Sequence, residues 1–142
     1  MQILILEDMT KRMASFKKNI KIHDQQIAIY AASTVEEAKR HLQYKSFEIV
    51  FLDHDLDPWH YGATMREEGT GRELTKWLGE ERGVCESNLL YVIHSLRPKA
   101  AKKMRQDIDL GEDRCKLMPY AWTLGGVSRS FEILKALRYK MK

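Results

Sequence analysis

Short, mostly apolar runs recur along the chain: "QILIL" (2–6), "IAIYA" (27–31), "FEIVFL" (47–52), "LLYVI" (89–93) and, interrupted by Lys116, "CKLM" (115–118). Each is too short for a helix and lacks polar alternation, the pattern of a strand covered on both faces. Between them the apolar residues switch to helical spacing: Met13, Phe16 and Ile20; Val35, Ala38 and Leu42; Leu74, Trp77 and Leu78; Ala101, Met104 and Ile108; Phe131, Leu134, Leu137 and Met141. Five strands alternating with five helices predict an α/β fold, an open parallel sheet with helices on both faces and right-handed crossovers. Local signals agree. Thr10 is placed to cap the first helix, Thr34 with Glu37 forms a capping box, and Pro98 suits a first helical turn. "TLGG" (123–126) reads as a break before the closing helix.

The 142 residues suit one domain, 1–142, able to bury a core without disulfides. No apolar run approaches the roughly 20 residues of a membrane span, and "MQILILEDM" is too short and too acidic for a signal peptide. A cytoplasmic protein without a membrane partner is expected. Cys85 and Cys115 lack CxxC spacing and read as ordinary thiols. A net charge of +4, from 24 basic against 20 acidic residues, is mild for a nucleic-acid binder and compatible with an anionic ligand. The basic runs near the two termini read as solvated helix faces. "GTGREL" lacks the spacing of a phosphate or dinucleotide loop, and no GxSxG or HExxH motif occurs. No organic cofactor is expected.

In open α/β sheets, ligands bind beyond the carboxyl ends of the strands, beside the point where strand order reverses. Those ends carry Glu7 and Asp8 after the first strand, Asp53, His54 and Asp55 after the third, and His94 and Ser95 after the fourth. The segment after the third strand, "DHDLDPWHYGATMREEGTG", is long and polar, as functional loops tend to be.

With an acidic pair after strand one and Asp53 after strand three, the chain resembles a receiver-type domain, the fold of two-component response regulators. That resemblance implies a receiver-like (flavodoxin-like) three-layer sandwich with a five-stranded parallel sheet. It also implies Mg²⁺ or another divalent cation at Glu7, Asp8 and Asp53. There are departures: strand four ends "IHS", where Ser95 stands in for the expected hydroxyl, and strand five runs into "MPYAW" without the expected lysine. The closer resemblance is to cyclic-phosphate processing receiver-like domains, carried by "LED" (6–8), "LDHDL" (52–56) and "IHS" (93–95). It implies action on a cyclic phosphate of a nucleotide or RNA end.

Opening a cyclic phosphodiester with water needs a base for the nucleophile and an acid for the departing oxygen. Imidazoles serve both roles near neutral pH. His54 and His94 are therefore the expected proton-transfer pair, whether strands three and four are neighbours or flank strand one. Alternation points Asp53 and Asp55 away from the His54 side chain. They either orient an imidazole across the pocket or join Glu7 and Asp8 around a cation, because hard cations prefer carboxylate oxygen. Ser95, Arg97 and Lys99 are candidate phosphate contacts near a helix start. His60, between Trp59 and Tyr61, is a weaker substrate-binding candidate with aromatic neighbours able to stack on a base. Trp77 reads as core, and Trp122 as core or as a far wall of the pocket. Two other readings stay open: a signalling or nucleotide-binding module with Asp53 at the phosphoacceptor position, and an inactive partner-binding domain.

Overall fold

A computed structural model describes residues 1–56 and 70–141. The strands are β1 (Gln2–Leu6), β2 (Ala28–Ala32), β3 (Ile49–Leu52), β4 (Leu90–Ile93) and β5 (Cys115–Leu117). The helices are α1 (Thr10–His23), α2 (Val35–Tyr44), α3 (Gly71–Glu80), α4 (Arg82–Glu86), α5 (Pro98–Ile108) and α6 (Leu124–Lys140). All five strands are parallel, in the order β2-β1-β3-β4-β5. Strand order reverses at β1, so the crevice between the ends of β1 and β3 is the switch point expected to hold a ligand.

Period-two alternation divides the core. Leu4, Leu6, Val50, Leu52, Tyr91 and Ile93 pack on one face against Ala38 and Leu42 of α2, Leu74 and Leu78 of α3, and Met104 and Ile108 of α5. Ile3, Ile5, Ile49, Phe51, Leu90 and Val92 pack on the other face against Phe16 and Ile20 of α1 and Val127 and Leu134 of α6. Helices on both faces explain why the strands read as unbroken apolar runs. Cys85 and Cys115 are buried free thiols. Among the described residues, no helix is long and apolar enough to cross a membrane.

Two helix starts follow the local signals. The Thr34 hydroxyl accepts from the N–H of Glu37 at 3.2 Å, and Pro98 opens α5. Others differ. Thr10 lies inside α1, with Met9 as the capping residue and no side-chain cap bond; the Glu7 carboxylate instead accepts from the N–H of Met9 at 3.1 Å. "TLGG" begins α6 rather than interrupting structure. Thr123 caps it by accepting from the N–H of Gly126 at 3.0 Å, and a Cβ on Gly126 would lie 2.5 Å from the Tyr120 carbonyl oxygen. Gly126 permits a tight entry that a breaker reading misjudges. Met141 lies beyond α6 as its C-terminal cap and is exposed, whereas Leu134 and Leu137 face the core. The short helix α4 has no periodic signature to announce it.

Candidate functional site

The sheet register builds the site. Leu6 pairs with Leu52 and Leu52 with Ile93, so the next residues, Glu7, Asp53 and His94, stand side by side beyond three adjacent strands. Backbone bonds extend the ladder to them: Asp53 N–H donates to the Leu6 carbonyl at 3.2 Å and His94 N–H to the Leu52 carbonyl at 2.9 Å. Two residues beyond Ile5, Phe51 and Val92, alternation directs the three side chains to the α1/α6 face. β3 and β4 are therefore direct neighbours, with β1 on the other side of β3.

All three side chains are buried. One ligand atom from each lies within 4.8 Å of the others. His94 Nε2 is 3.3 Å from Glu7 Oε1, yet neither atom has a partner in hydrogen-bond geometry. The His94 ring meets Phe16 edge-on with centroids 5.0 Å apart and Trp122 at 6.3 Å. Trp122 is thus a wall of the site, and Asn19 Nδ2 donates to its carbonyl at 2.8 Å, tying α1 to the segment after β5.

Burial pushes the Asp53 carboxyl up to about 8, and the Glu7 and Asp55 carboxylates add to the rise. For Glu7, burial pulls upward too, but the His94 ring, the Met9 N–H and Arg12 outweigh it and hold the group below its ordinary value. Complete burial holds His94 below the ordinary histidine value against the upward pull of Glu7. A carboxylate pair beside a buried imidazole fits a divalent cation, which would relieve the acidic repulsion and engage the orphaned atoms. Asp8, expected among the ligands, is not part of this cluster; together with Glu7 it lines a cleft of about 370 Å³ that also touches Thr10, Lys17 and Glu37.

A second group lies on the open side. His54 Nδ1 and Asp55 Oδ1 are 3.0 Å apart, and Asp55 Oδ2 is 3.4 Å from Arg97 Nε. A carboxylate oxygen accepts, so Nδ1 carries the hydrogen and Nε2 is left for exchange with a ligand. This corrects the alternation argument for Asp55, which turns back towards His54 instead of away from it. The extended segment ends at His54, whose carbonyl accepts from the N–H of Gly71 at 2.9 Å, joining the end of β3 to the start of α3. Asp53 keeps the expected direction, and its Oδ1 accepts from the His54 N–H at 2.9 Å.

Ser95 is buried, and its Oγ accepts from the N–H of Arg97 at 3.1 Å. Arg97 caps α5 and Lys99 stands exposed in its first turn. His60, with Trp59 and Tyr61, lies outside the described residues. Two site residues escaped the sequence reading. Arg12 sits 4.3 Å over the Trp122 ring with Nη1 3.8 Å from Glu7 Oε1, a position its basic helical surroundings disguised. Gly71, the last residue of the long polar segment after the third strand, carries no motif that announces its contact with the Asp53 carbonyl.

The Cyclic-phosphate processing Receiver domain family matches residues 3–111, which carry every strand end of the site except that of β5. The chain belongs to that family. Its fold is shared by solved response regulators. A receiver domain protein (CheY-like) from Methanospirillum hungatei JF-1 is 16% identical with a TM-score of 0.65, covering 98% of this chain and 97% of that one. A two-component response regulator from Legionella pneumophila is 17% identical with a TM-score of 0.69, covering 95% and 98%. The Mn(2+)-bound form of response regulator Rcp1 is 13% identical with a TM-score of 0.63, covering 93% and 94%. No curated protein sequence matches the chain.

Proposed function

We propose that this receiver-like domain opens a cyclic phosphate on a nucleotide or RNA end by hydrolysis. The observation that carries the reading is the His54–Asp55–Arg97 chain beside the acidic row at the switch point. Asp55 fixes the imidazole tautomer and Arg97 fixes Asp55, so His54 Nε2 is the proton-transfer atom. His54 takes a proton from water as its oxygen bonds to phosphorus. The bond from phosphorus to the ribose oxygen breaks, that oxygen receives the proton, and a phosphate monoester results. Environment divides the two histidines: His54 is oriented at the open side, while His94 is buried against Glu7, Phe16 and Trp122.

Ser95, Arg97 and Lys99 contact phosphate oxygens at the start of α5, where helix N–H groups and positive charge favour an anion. A divalent cation held by Glu7 and Asp53 would supply Lewis-acid polarisation of the phosphoryl oxygens. His54→Ala abolishes hydrolysis of a 2′,3′-cyclic nucleotide while the circular dichroism spectrum is retained; equal turnover by the variant contradicts the reading.

A signalling module is the second reading, favoured by Asp53 buried at the end of β3 in a CheY-like fold. Acetyl phosphate with Mg²⁺ then yields a phosphoryl adduct in the intact mass spectrum, lost in Asp53→Asn. The hydrolysis reading expects no such adduct.

A further inference from the structure

We propose that Glu7, Asp53 and His94 bind a first-row transition ion, such as Mn²⁺ or Co²⁺, in preference to Mg²⁺, with the His94 imidazole as a direct nitrogen ligand. The proposal shares its pocket with the hydrolysis reading but rests on binding alone, so it stands or falls without turnover.

The first support is the register, which sets two carboxylates and an imidazole in one row with ligand atoms within 4.8 Å. The second is independent of the acidic cluster. His94 is completely buried, and neither Nδ1 nor Nε2 has a hydrogen-bond partner among the described residues. Buried polar atoms in native proteins are nearly always satisfied, because a bare one has given up its bonds to water without replacement. Nε2 faces Glu7 Oε1 at 3.3 Å without the alignment of a hydrogen bond, and Oε1, 3.8 Å from Arg12 Nη1, likewise accepts no hydrogen bond. A cation lying between carboxylates and ring would engage both orphaned atoms at once.

The donor set then decides the metal class. Mg²⁺ prefers oxygen ligands and retains its waters, whereas imidazole suits borderline first-row ions. Phe16 and Trp122 flank the ring and restrict its movement, so His94 has little room to swing out and leave an all-oxygen site for Mg²⁺. Histidine thereby changes what an acidic strand-end pocket selects.

The test uses the full chain stripped of metal, titrated calorimetrically with MnCl₂, CoCl₂ and MgCl₂. Mn²⁺ and Co²⁺ are expected to bind at least about tenfold more tightly than Mg²⁺, with Co²⁺ the tighter of the two. Pulsed EPR of the Mn²⁺-loaded wild-type protein is expected to show nitrogen coupling from a bound imidazole, a readout that needs no variant to fold. His94→Asn should lose that coupling and the preference together, with Mg²⁺ affinity changed less than threefold. Mg²⁺ binding as tightly as Mn²⁺, bound Mn²⁺ without nitrogen coupling, or no metal binding overturns the proposal. Nitrogen-ligated Mn²⁺ without any cyclic-phosphate turnover supports this site and overturns the hydrolysis reading.

Discussion

A Cβ on Gly71 would lie 1.8 Å from the carbonyl oxygen of Asp53. The obstacle is backbone, so Gly71→Ala forces the strand end and the start of α3 apart rather than moving a flexible side chain. Overpacking of this kind costs about 2 kcal/mol or more. Urea unfolding should show that loss, and the displaced Asp53–His54 segment should lose metal affinity as well. A variant with wild-type stability and metal binding contradicts the close approach.

Asp55 bonds the His54 ring at 3.0 Å and is itself 41% exposed, so its removal affects orientation more than stability. Asp55→Asn should leave the unfolding midpoint nearly unchanged while lowering kcat for cyclic-phosphate hydrolysis about a hundredfold, within the range general acid–base contributions span. KM should change little. Steady-state kinetics would expose a merely structural Asp55 through equal losses in stability and rate.

In the metal-free protein, Asp53 has a folded-state value of about 8 against an ordinary 3.8. The folded state therefore holds a proton that the unfolded state releases. Its contribution to stability is fully present below 3.8 and is lost as pH rises through about 8. Asp53→Asn removes this dependence, so in a chelator the variant should gain stability relative to wild type across that window. Thermal unfolding of both proteins at matched pH checks the sign: a constant difference contradicts it, and a difference that falls with pH reverses it.

The strands were legible because burial on both faces leaves a run of consecutive apolar side chains, as in "LLYVI". The Thr34–Glu37 cap and the Pro98 start were legible because their signals are contained within four residues. The pairing of Glu7 with His94 was not, because it arises from the strand order β1-β3-β4, which brings together residues far apart in sequence. Phe16 and Trp122 enclose His94 while Asp55 and Arg97 flank His54, a difference in surroundings that two histidines after successive strands do not disclose in sequence. Asp8, which the receiver resemblance sets beside Glu7 as a ligand, stands outside the row that Glu7 forms with Asp53 and His94. Gly126 read as a breaker because its role depends on how closely Tyr120 approaches, which only packing reveals.

Trp122 joins Arg12, Asn19 and His94 through its ring and carbonyl. Trp122→Ala should destabilise the fold by about 2 kcal/mol, below the full-core range because the residue is only partly buried. It should also admit water to the His94 ring, seen as faster exchange of the imidazole hydrogens in NMR spectra. Unchanged stability and exchange would remove Trp122 as the wall of the site.

Phosphorus NMR of a 2′,3′-cyclic nucleotide incubated with the wild-type chain and Mn²⁺ follows the proposed hydrolysis itself. The cyclic-phosphate resonance is expected to give way to that of a phosphate monoester, and to persist with His54→Ala. A cyclic resonance that remains unchanged with folded, metal-loaded wild-type protein, across nucleotide and RNA-end substrates, contradicts that hydrolysis.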